Sequence, residues 1–220
     1  LAYSWKEASE IKKLSKKSNI FIQCGFIERY NPVVTELRKI IKQEEAIHFD
    51  FFRTNKESNR IKDVDVIRDL MIHDIDLALY LNGPIKTASV HGRKENDLVA
   101  FAMAVLIHEN GCFSRLLASR ITEKKNRQIQ ATTRSSFIKA ELISQSLSVY
   151  TKSIEERSHS SAYNLSSIEN VIEVVRREPL LLELISFVKN CKETPTIDYP
   201  DLESGMETIR ICEMLEAEIA

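Results

Sequence analysis

The sequence lacks the features that mark several classes of protein. Its four cysteines lie far apart and form no C-x-x-C pair, so we expect neither a zinc knuckle nor a disulfide framework. The net charge of −1 gives no electrostatic footprint for nucleic acid. The longest apolar run, residues 98–107, is too short to cross a bilayer, and no basic segment with an apolar core opens the chain. We therefore expect a cytoplasmic protein that has neither nucleic acid nor a membrane as a partner.

Glycine is scarce as well, and its spacing excludes one kind of site. The 220 residues contain five glycines, which are Gly25, Gly83, Gly92, Gly111 and Gly205. None of them forms the G-x-G-x-x-G turn that holds a dinucleotide's pyrophosphate at a helix N-terminus. These 220 residues therefore supply no preformed pyrophosphate site of that kind.

The residues that are present have an ordinary globular composition, 43% hydrophobic and 29% charged, and the first part of the chain is clearly periodic. It predicts a helix over about residues 4–17, a buried strand at residues 19–26, and a helix that Asn31 caps and Pro32 opens. A helix that leads into an apolar strand is half of a parallel-sheet unit. From about residue 46 the apolar period changes to two, which predicts a half-buried strand.

The later segments predict an α+β fold with a large, mainly antiparallel open sheet and helices on one face. A helix over about 66–81 is followed by strand-like segments at residues 86–93, 98–108, 112–122, 127–133 and 137–143. Residues 153–170 have no clear period and are interpreted as a long excursion. Helices over about 179–190 and 200–218 close the chain, and their apolar stripes are interpreted as core.

Charged residues lie inside the apolar helix over 66–81. Asp69, His73, Asp76 and Tyr80 follow the spacing i, i+4, i+7, i+11 and share one stripe, whereas Asp74 points elsewhere. Apolar side chains cover most of the remaining circumference, so the stripe is expected to be partly buried. Because a buried carboxylate without partners is costly, these groups need hydrogen bonds from one another, from other side chains or from a ligand.

The residues alone leave three interpretations of the stripe open. A metal could bind Asp69 and His73, but no second histidine or cysteine stands at ligand spacing, so no metal is predicted. A structural network could satisfy the charges within the protein. In the third interpretation Asp69 orients His73 and stabilises its protonated form, so that the imidazole accepts a proton near neutral pH.

Three motifs, taken together, resemble a known family. They are G-F-x-x-R-Y-N-P at residues 25–32, D-x-x-x-H-D-I-D-L at residues 69–77 and E-P-L-x-x-E-L-x-x-F at residues 178–187. Their order and spacing resemble the glucose-fructose oxidoreductase, inositol dehydrogenase and rhizopine-catabolism (Gfo/Idh/MocA) family of NAD(P)-dependent sugar dehydrogenases. The resemblance implies that His73 takes the hydroxyl proton as hydride leaves, with Asp69 assisting, and that Arg29, Tyr30 and Asn31 contact the substrate.

The same resemblance implies a domain division and a cofactor. Residues 1–28 are expected to be the last helix and strand of a dinucleotide-binding Rossmann domain, and residues 29–220 a substrate-binding and oligomerisation domain. The main site for NAD or NADP, and the family's E-K-P catalytic lysine, would lie upstream of Leu1. The chain as given is therefore expected to be inactive and to bind no cofactor tightly.

The resemblance favours the C-terminal part of an oxidoreductase that transfers hydride between nicotinamide and a secondary alcohol of a sugar, cyclitol or nucleotide sugar. The alternative is a non-catalytic binding or oligomerisation module with a structural Asp/His network. A homodimer or tetramer through the open sheet face is expected, because the sheet has more apolar surface than two or three helices cover. The residues that suggest this are Phe101, Met103, Val105, Phe113, Leu117 and Ile121.

Overall fold

The computed structural model describes residues 2–56, 63–156, 163–192 and 198–219, and of residues 153–156 and 163–166 it describes the backbone alone. Within these ranges the helices are α1 (Trp5–Ser18), α2 (Pro32–Ile41), α3 (Ile72–Asn82), α4 (Pro179–Lys192) and α5 (Leu202–Ile219). The strands are β1 (Ala46–Thr54), β2 (Ile85–Glu95), β3 (Leu98–His108), β4 (Phe113–Ser119), β5 (Asn126–Thr133), β6 (Ser136–Glu141), β7 (Ser146–Glu156) and β8 (Tyr163–Ile172). A 3-10 turn at Ile27–Tyr30 precedes α2, and a π-helical turn at Ile67–Met71 leads directly into α3.

The eight strands form one open sheet in the order β2-β3-β4-β1-β5-β6-β7-β8. Only the β1–β4 pair is parallel, and the other described pairs are antiparallel. The predicted large, mainly antiparallel sheet is therefore confirmed. The tight turn between β3 and β4 contains Gly111, whose φ of 85° is readily accessible only to glycine among common residues.

One face of the sheet is covered by helices and carries the main core. Phe49 and Phe51 of β1 are 0% and 1% exposed and belong to one apolar cluster with Leu37 of α2, Leu77 of α3 and Leu215 of α5. Burial of side chains of this size contributes about 1.5–3 kcal/mol each, so this layer holds the helices against the sheet. The predicted single helix-covered face is thus confirmed.

The other face of the sheet is apolar at one end and polar at the other. Met103 of β3 stands opposite Leu117 of β4, and Ile107 stands opposite Phe113, which is 39% exposed. Further along the sheet the same face carries polar side chains such as Gln130 of β5. Of the apolar residues predicted to lie on this face, those in β3 and β4 do lie there. Ile121 is the exception, because it follows the end of β4.

Two predicted segments differ from the structure. Residues 163–170 and the part of the excursion before residue 157 form the β7–β8 hairpin, and residues 157–162 lie outside the described residues. Residues 167–171 are exposed on both sides of this edge, so no apolar alternation marks the strand in the sequence. Residues 20–26 form neither a helix nor a strand and pair with no described strand, Asn19 is in the left-handed conformation, and Ile20 is 60% exposed. A ladder needs a neighbouring strand, and none of the described strands lies beside this segment.

Helix α4 also contradicts the prediction that its apolar stripe is core. Leu181 and Ile185 are 55% and 54% exposed, whereas Glu183 and Asn190 are buried. In α5 the prediction is confirmed, since Cys212 and Leu215 are fully buried. Helix α4 therefore turns polar side chains toward the rest of the described chain and apolar ones away from it.

Candidate active site

A buried ion-pair network surrounds Asp74, the aspartate that the stripe analysis set aside. Arg53 of β1 is only 2% exposed, and its Nη2 and Nε donate to the two Asp74 carboxylate oxygens at 2.8 and 3.0 Å. Its Nη1 donates to Glu28 Oε1 at 3.1 Å, and Arg127 donates to the same oxygen at 3.3 Å. Burial would lower the pKa of Arg53, but the two carboxylates raise it above its usual range. The charge of Asp74 is therefore balanced inside the protein.

The other two aspartates of the helix also contact arginines. Arg29 makes a two-point contact with Asp76, Nε–Oδ2 2.8 Å and Nη2–Oδ1 2.5 Å. Burial nevertheless raises the pKa of Asp76 to about 6, although Arg29 opposes that shift. Arg120, which follows β4, donates to Asp69 Oδ2 at 3.2 Å. All three aspartates in this segment therefore have arginine partners, as the structural-network interpretation requires.

His73 differs from the aspartates, because its Nδ1 is buried and has no hydrogen-bond partner among the described residues. Burial lowers the pKa of His73 to about 4, and the positive charge of Arg53 adds to the shift, against the smaller opposing effects of Glu28 and Asp69. The imidazole is thus neutral at pH 7. The expectation that Asp69 keeps a protonated His73 stable near neutral pH is not met in this structure, because burial and Arg53 outweigh Asp69.

His73 and Asp69 line a cavity of about 630 Å³. Its opposite wall is the segment that was predicted to be a strand, and the cavity also touches α5. The lining residues on these elements include Gln23, Cys24, Gly25, Phe26, Gly205 and Ile209. The structure thus brings both predicted catalytic residues to one cavity, and the unpartnered imidazole lies at its edge.

The three predicted substrate residues are not among the residues that line this cavity. Arg29 is engaged by Asp76, as described above, and Tyr30 donates from its hydroxyl to Ser186 Oγ at 3.3 Å. Asn31 is 2% exposed, caps α2 by accepting the Val33 N–H at 3.2 Å, and donates to the Leu142 carbonyl at 3.1 Å. Their contact with substrate stays a prediction.

Asp69 and His73 are not hydrogen-bonded to each other in the described chain. Asp69 lies within the π-helical turn and is bound by Arg120, while His73 lies in α3 just after that turn. The stripe predicted from 100° per residue therefore begins in a π-helical turn rather than in a regular helix.

A second cavity of about 660 Å³ lies about two turns further along α3, at its C-terminal end, and contains the predicted residue Arg29. The Tyr80 ring lies between the guanidinium carbons of Arg29 and Arg38, at 4.8 and 3.8 Å from its centroid. Arg38 is in turn paired with Asp198 at 2.7 Å. Its polar groups largely satisfy one another, so we place the chemistry at the first cavity despite the similar volumes.

Gln23 is the lining residue that sequence analysis missed. Its amide oxygen is buried without a partner among the described residues, and its amide nitrogen donates weakly to the Glu183 backbone carbonyl at 3.5 Å. A signal was present, because Gln23 is the one polar residue in the run Ile20 to Cys24. A lone polar side chain in an apolar segment needs a partner, and here the cavity is next to it.

The described ranges contain neither a cluster of metal ligands nor a helix suited to span a membrane. They contain no group of three or more histidine, cysteine, aspartate or glutamate side chains placed to hold a metal ion. No helix in those ranges combines the length and apolarity needed to cross a bilayer.

The depressed pKa of His73 predicts a specific pH dependence of stability. Between its ordinary value of 6.5 and its native value of about 4, the unfolded chain binds a proton that the native chain does not. Stability is therefore lost as pH falls through this window, by up to about 3 kcal/mol. Asp76, whose pKa is raised, contributes the opposite slope below about pH 6, so a comparison of variants is needed.

Thermal unfolding should be followed from pH 7 to pH 4 for the wild type, His73→Asn and the control His91→Asn, whose imidazole is exposed on β2. We expect the wild type and His91→Asn to lose stability more steeply than His73→Asn as the pH falls. Parallel curves for all three would contradict the assignment of a buried neutral imidazole.

Comparison with known proteins places these observations in context. The family model of the GFO/IDH/MocA C-terminal domain matches residues 43–137. UDP-N-acetylglucosamine 3-dehydrogenase of Acidithiobacillus ferrooxidans is 25% identical over 193 residues, which cover 83% of this chain and 58% of that protein. The chain thus spans less than two thirds of that relative's length.

Solved structures have the same fold. One crystal form of the Acidithiobacillus ferrooxidans enzyme, GnnA, superposes with a TM-score of 0.86 at 20% identity, covering 99% of this chain and 68% of that one. An NAD binding oxidoreductase from Klebsiella pneumoniae gives 0.79 at 13% identity, with 99% and 69% covered. Levoglucosan dehydrogenase in complex with NADH gives 0.79 at 15% identity, with 99% and 68% covered.

Proposed function

We propose that this chain is the substrate-binding part of an NAD(P)-dependent dehydrogenase. Its residues 43–137 match the model of the GFO/IDH/MocA C-terminal domain. The substrate would carry a secondary alcohol on a sugar, cyclitol or nucleotide sugar. The relatives support this class, since one is named a UDP-N-acetylglucosamine 3-dehydrogenase and another a levoglucosan dehydrogenase. The division into residues 1–28 as the end of a dinucleotide-binding domain and 29–220 as the substrate and assembly domain is part of the same proposal.

The observation that carries the proposal is the contrast between the helix's carboxylates and its histidine. Each aspartate of the segment is paired with an arginine, while His73 Nδ1 is buried at a cavity without a described partner. A neutral imidazole can accept a hydroxyl proton, and positioned acid-base groups typically contribute roughly a hundredfold or more to rate. The ion pairs by themselves would suit a non-catalytic module, but they leave the unpartnered imidazole unexplained.

The described residues do not fit a whole dinucleotide. A pyrophosphate needs a cradle of backbone N–H groups at a helix N-terminus, and no glycine-rich turn of that kind exists in the sequence. The cavity instead offers an imidazole and an amide oxygen without described partners, which suit hydroxyl or amide groups. In the complete dehydrogenase the nicotinamide would accept the hydride, and its main binding site would lie outside these residues.

Within this scheme His73 holds and accepts the hydroxyl proton, and Asp69 acts through its charge. Asp69 shares the cavity with His73. Its negative charge raises the pKa of His73, but this effect is smaller than those of burial, Arg53 and Glu28. Arg120 holds one oxygen of Asp69 and so limits its support for the imidazolium. A substrate that excludes water from the cavity would strengthen the attraction between Asp69 and a protonated His73.

The test is cofactor reduction by the complete protein. Purified full-length enzyme should be mixed with NAD or NADP and a panel of cyclitols, sugars and nucleotide sugars, with absorbance followed at the nicotinamide band. We expect reduction with at least one hydroxylated substrate. If no member of the panel reduces either cofactor, while the protein is folded, the proposed activity is wrong.

The 220-residue chain on its own is predicted to bind dinucleotide weakly or not at all, because it lacks a pyrophosphate cradle. Calorimetric titration of NAD and NADP into this chain should show no saturable heat at micromolar concentrations. Dissociation constants in the low micromolar range for either cofactor would contradict the prediction. The full-length protein is the matched control, in which one of the two cofactors should bind.

The open sheet face is predicted to form a homodimer or tetramer interface. Its apolar end exposes Phe113 by 39% and Ile107 by 37%, beside the half-buried Met103. Light scattering at micromolar concentration should give at least twice the monomer mass, and Phe113→Glu should shift the equilibrium toward monomer. The polar end of the face supplies the control, Gln130→Glu, which should leave the mass unchanged. A monomeric wild type would count against the interface.

We also propose a cytoplasmic location. The support is that Cys24, Cys112, Cys191 and Cys212 are all free thiols, as expected in a reducing compartment.

A further inference from the structure

Helix α4 buries a carboxylate that has no described partner. Glu183 is 9% exposed, although Leu181 and Leu184 beside it are more than half exposed. No ion pair or hydrogen bond to its carboxylate occurs among the described residues, in contrast to the three paired aspartates near α3. Burial raises the pKa of Glu183, with no cation to oppose the shift. A buried acid without a counter-charge is costly to the fold and is typical of functional sites.

The carboxylate lies beside the wall of the His73 cavity. A Cβ placed on Gly25 would be 3.6 Å from Glu183 Oε1, which is ordinary van der Waals contact, so the carboxylate lies directly beside Gly25. The backbone carbonyl of Glu183 accepts the amide of Gln23 at 3.5 Å. Gly25 and Gln23 both line the cavity that contains His73. Glu183 therefore borders that cavity from behind the segment at residues 20–26.

The orientation of the Gln23 amide follows from this contact. Because the Glu183 carbonyl can only accept a hydrogen bond, the Gln23 nitrogen must face it and the amide oxygen must face away. That oxygen is buried and has no described partner. Two acceptors beside the wall of the cavity, the Gln23 oxygen and the Glu183 carboxylate, thus have no described donor. Only a group that donates hydrogen bonds can satisfy both.

We propose that Glu183 and Gln23 form an acceptor-only subsite that binds neutral hydrogen-bond donors of a ligand in the His73 cavity. The inference rests on the proposed function and adds a second recognition point to it. The donors would be hydroxyls of the polyhydroxylated substrate or the carboxamide N–H groups of nicotinamide, which share this chemistry. Glu183 and Gln23 would then favour ligands that carry a hydrogen-bond donor next to the reacting carbon.

The experiment uses the 220-residue chain and two small probes. Binding of myo-inositol, as a hydroxyl probe, and of nicotinamide, as a carboxamide probe, should be measured by NMR titration at millimolar concentration. We expect one of them to bind the wild type and to bind Glu183→Gln roughly tenfold or more weakly, as loss of a charged acceptor usually costs. Gln23→Leu should weaken the same probe. Glu178→Gln removes an exposed carboxylate just before α4 and should bind as the wild type does.

The pattern of losses separates this inference from the proposed function. If His73→Asn weakens the probe but Glu183→Gln and Gln23→Leu do not, the subsite is wrong and the proposed cavity stands. If Glu183→Gln weakens binding of the probe and His73→Asn does not, the subsite stands and the proposed roles of His73 and Asp69 are not supported. No binding of either probe to the wild type overturns the subsite.

Thermal unfolding of the same variant supplies the second readout. Because desolvation raises the pKa of Glu183 and no described cation opposes the shift, Glu183→Gln should melt at the same temperature as the wild type or higher. A clearly lower melting temperature would show that Glu183 holds the fold together and would overturn the subsite.

Discussion

Replacing His73 by alanine in the complete dehydrogenase is expected to lower kcat by roughly a hundredfold or more, with little effect on folding. The imidazole makes no described hydrogen bond through Nδ1, so its removal breaks no internal bond there. What it removes is the acceptor for the hydroxyl proton. Asp69→Asn should lower turnover less and should shift the pH optimum, because the amide no longer favours protonated His73.

Asp76→Ala is the matched control on the same helix. This substitution leaves Arg29 without its carboxylate partner, so it should lower the melting temperature. Turnover should change little when the assay temperature is well below the melting temperature of the variant. The measurement is initial rate against substrate concentration for all three variants at several pH values. If His73→Ala kept wild-type turnover while losing stability, His73 would be structural, and the proposed dehydrogenase would have no identified general base.

The largest loss of stability is expected from Arg53→Met. Arg53 is 2% exposed and is the shared partner of Asp74 and Glu28, so its removal leaves carboxylates buried without full compensation. Breaking a buried pair in this way typically lowers the free energy of unfolding by about 3–5 kcal/mol. Denaturant unfolding of the chain, with the slope compared between variants, measures the difference.

Two further variants make the interpretation specific. Arg134→Met breaks the Arg134–Glu45 pair, whose side chains are 75% and 67% exposed, and should change the free energy of unfolding little, because solvent screens an exposed pair. Adding Asp74→Leu to Arg53→Met should recover part of the loss, since it removes one of the stranded charges. Equal losses for Arg53→Met and Arg134→Met would show that burial does not set the strength of these pairs.

The sequence predicted the elements whose pattern is local. Helix α3 was visible from its apolar coverage and from the stop at Asn82-Gly83, and β3 was located to the residue because a long apolar run ended at the Asn110-Gly111 turn. The grouping of Asp69 with His73 at one cavity also followed from helical spacing, although the stripe begins in a π-helical turn.

The partners of the buried charges could not be predicted, because they come from distant parts of the chain. Nothing local to Asp74 indicates that Arg53 will face it, and nothing local to Asp76 indicates that it will bind Arg29, 47 residues earlier in the chain. The prediction that the apolar stripe of α4 is core was wrong for a related reason. Its apolar stripe has the period of a core face, but which face is inward depends on the elements around it.

The position of β1 in the sheet also fixes the order in which the molecule can fold. It lies in the middle, yet its neighbours β4 and β5 are synthesised only after α3, β2 and β3. Until then both edges of β1 are unpaired. Assembly of the centre of the sheet must therefore wait until Thr133 has left the ribosome. A nascent chain arrested between β4 and β5 would still expose one edge of its central strand, and an unpaired edge of this kind is a template for pairing with a neighbouring chain.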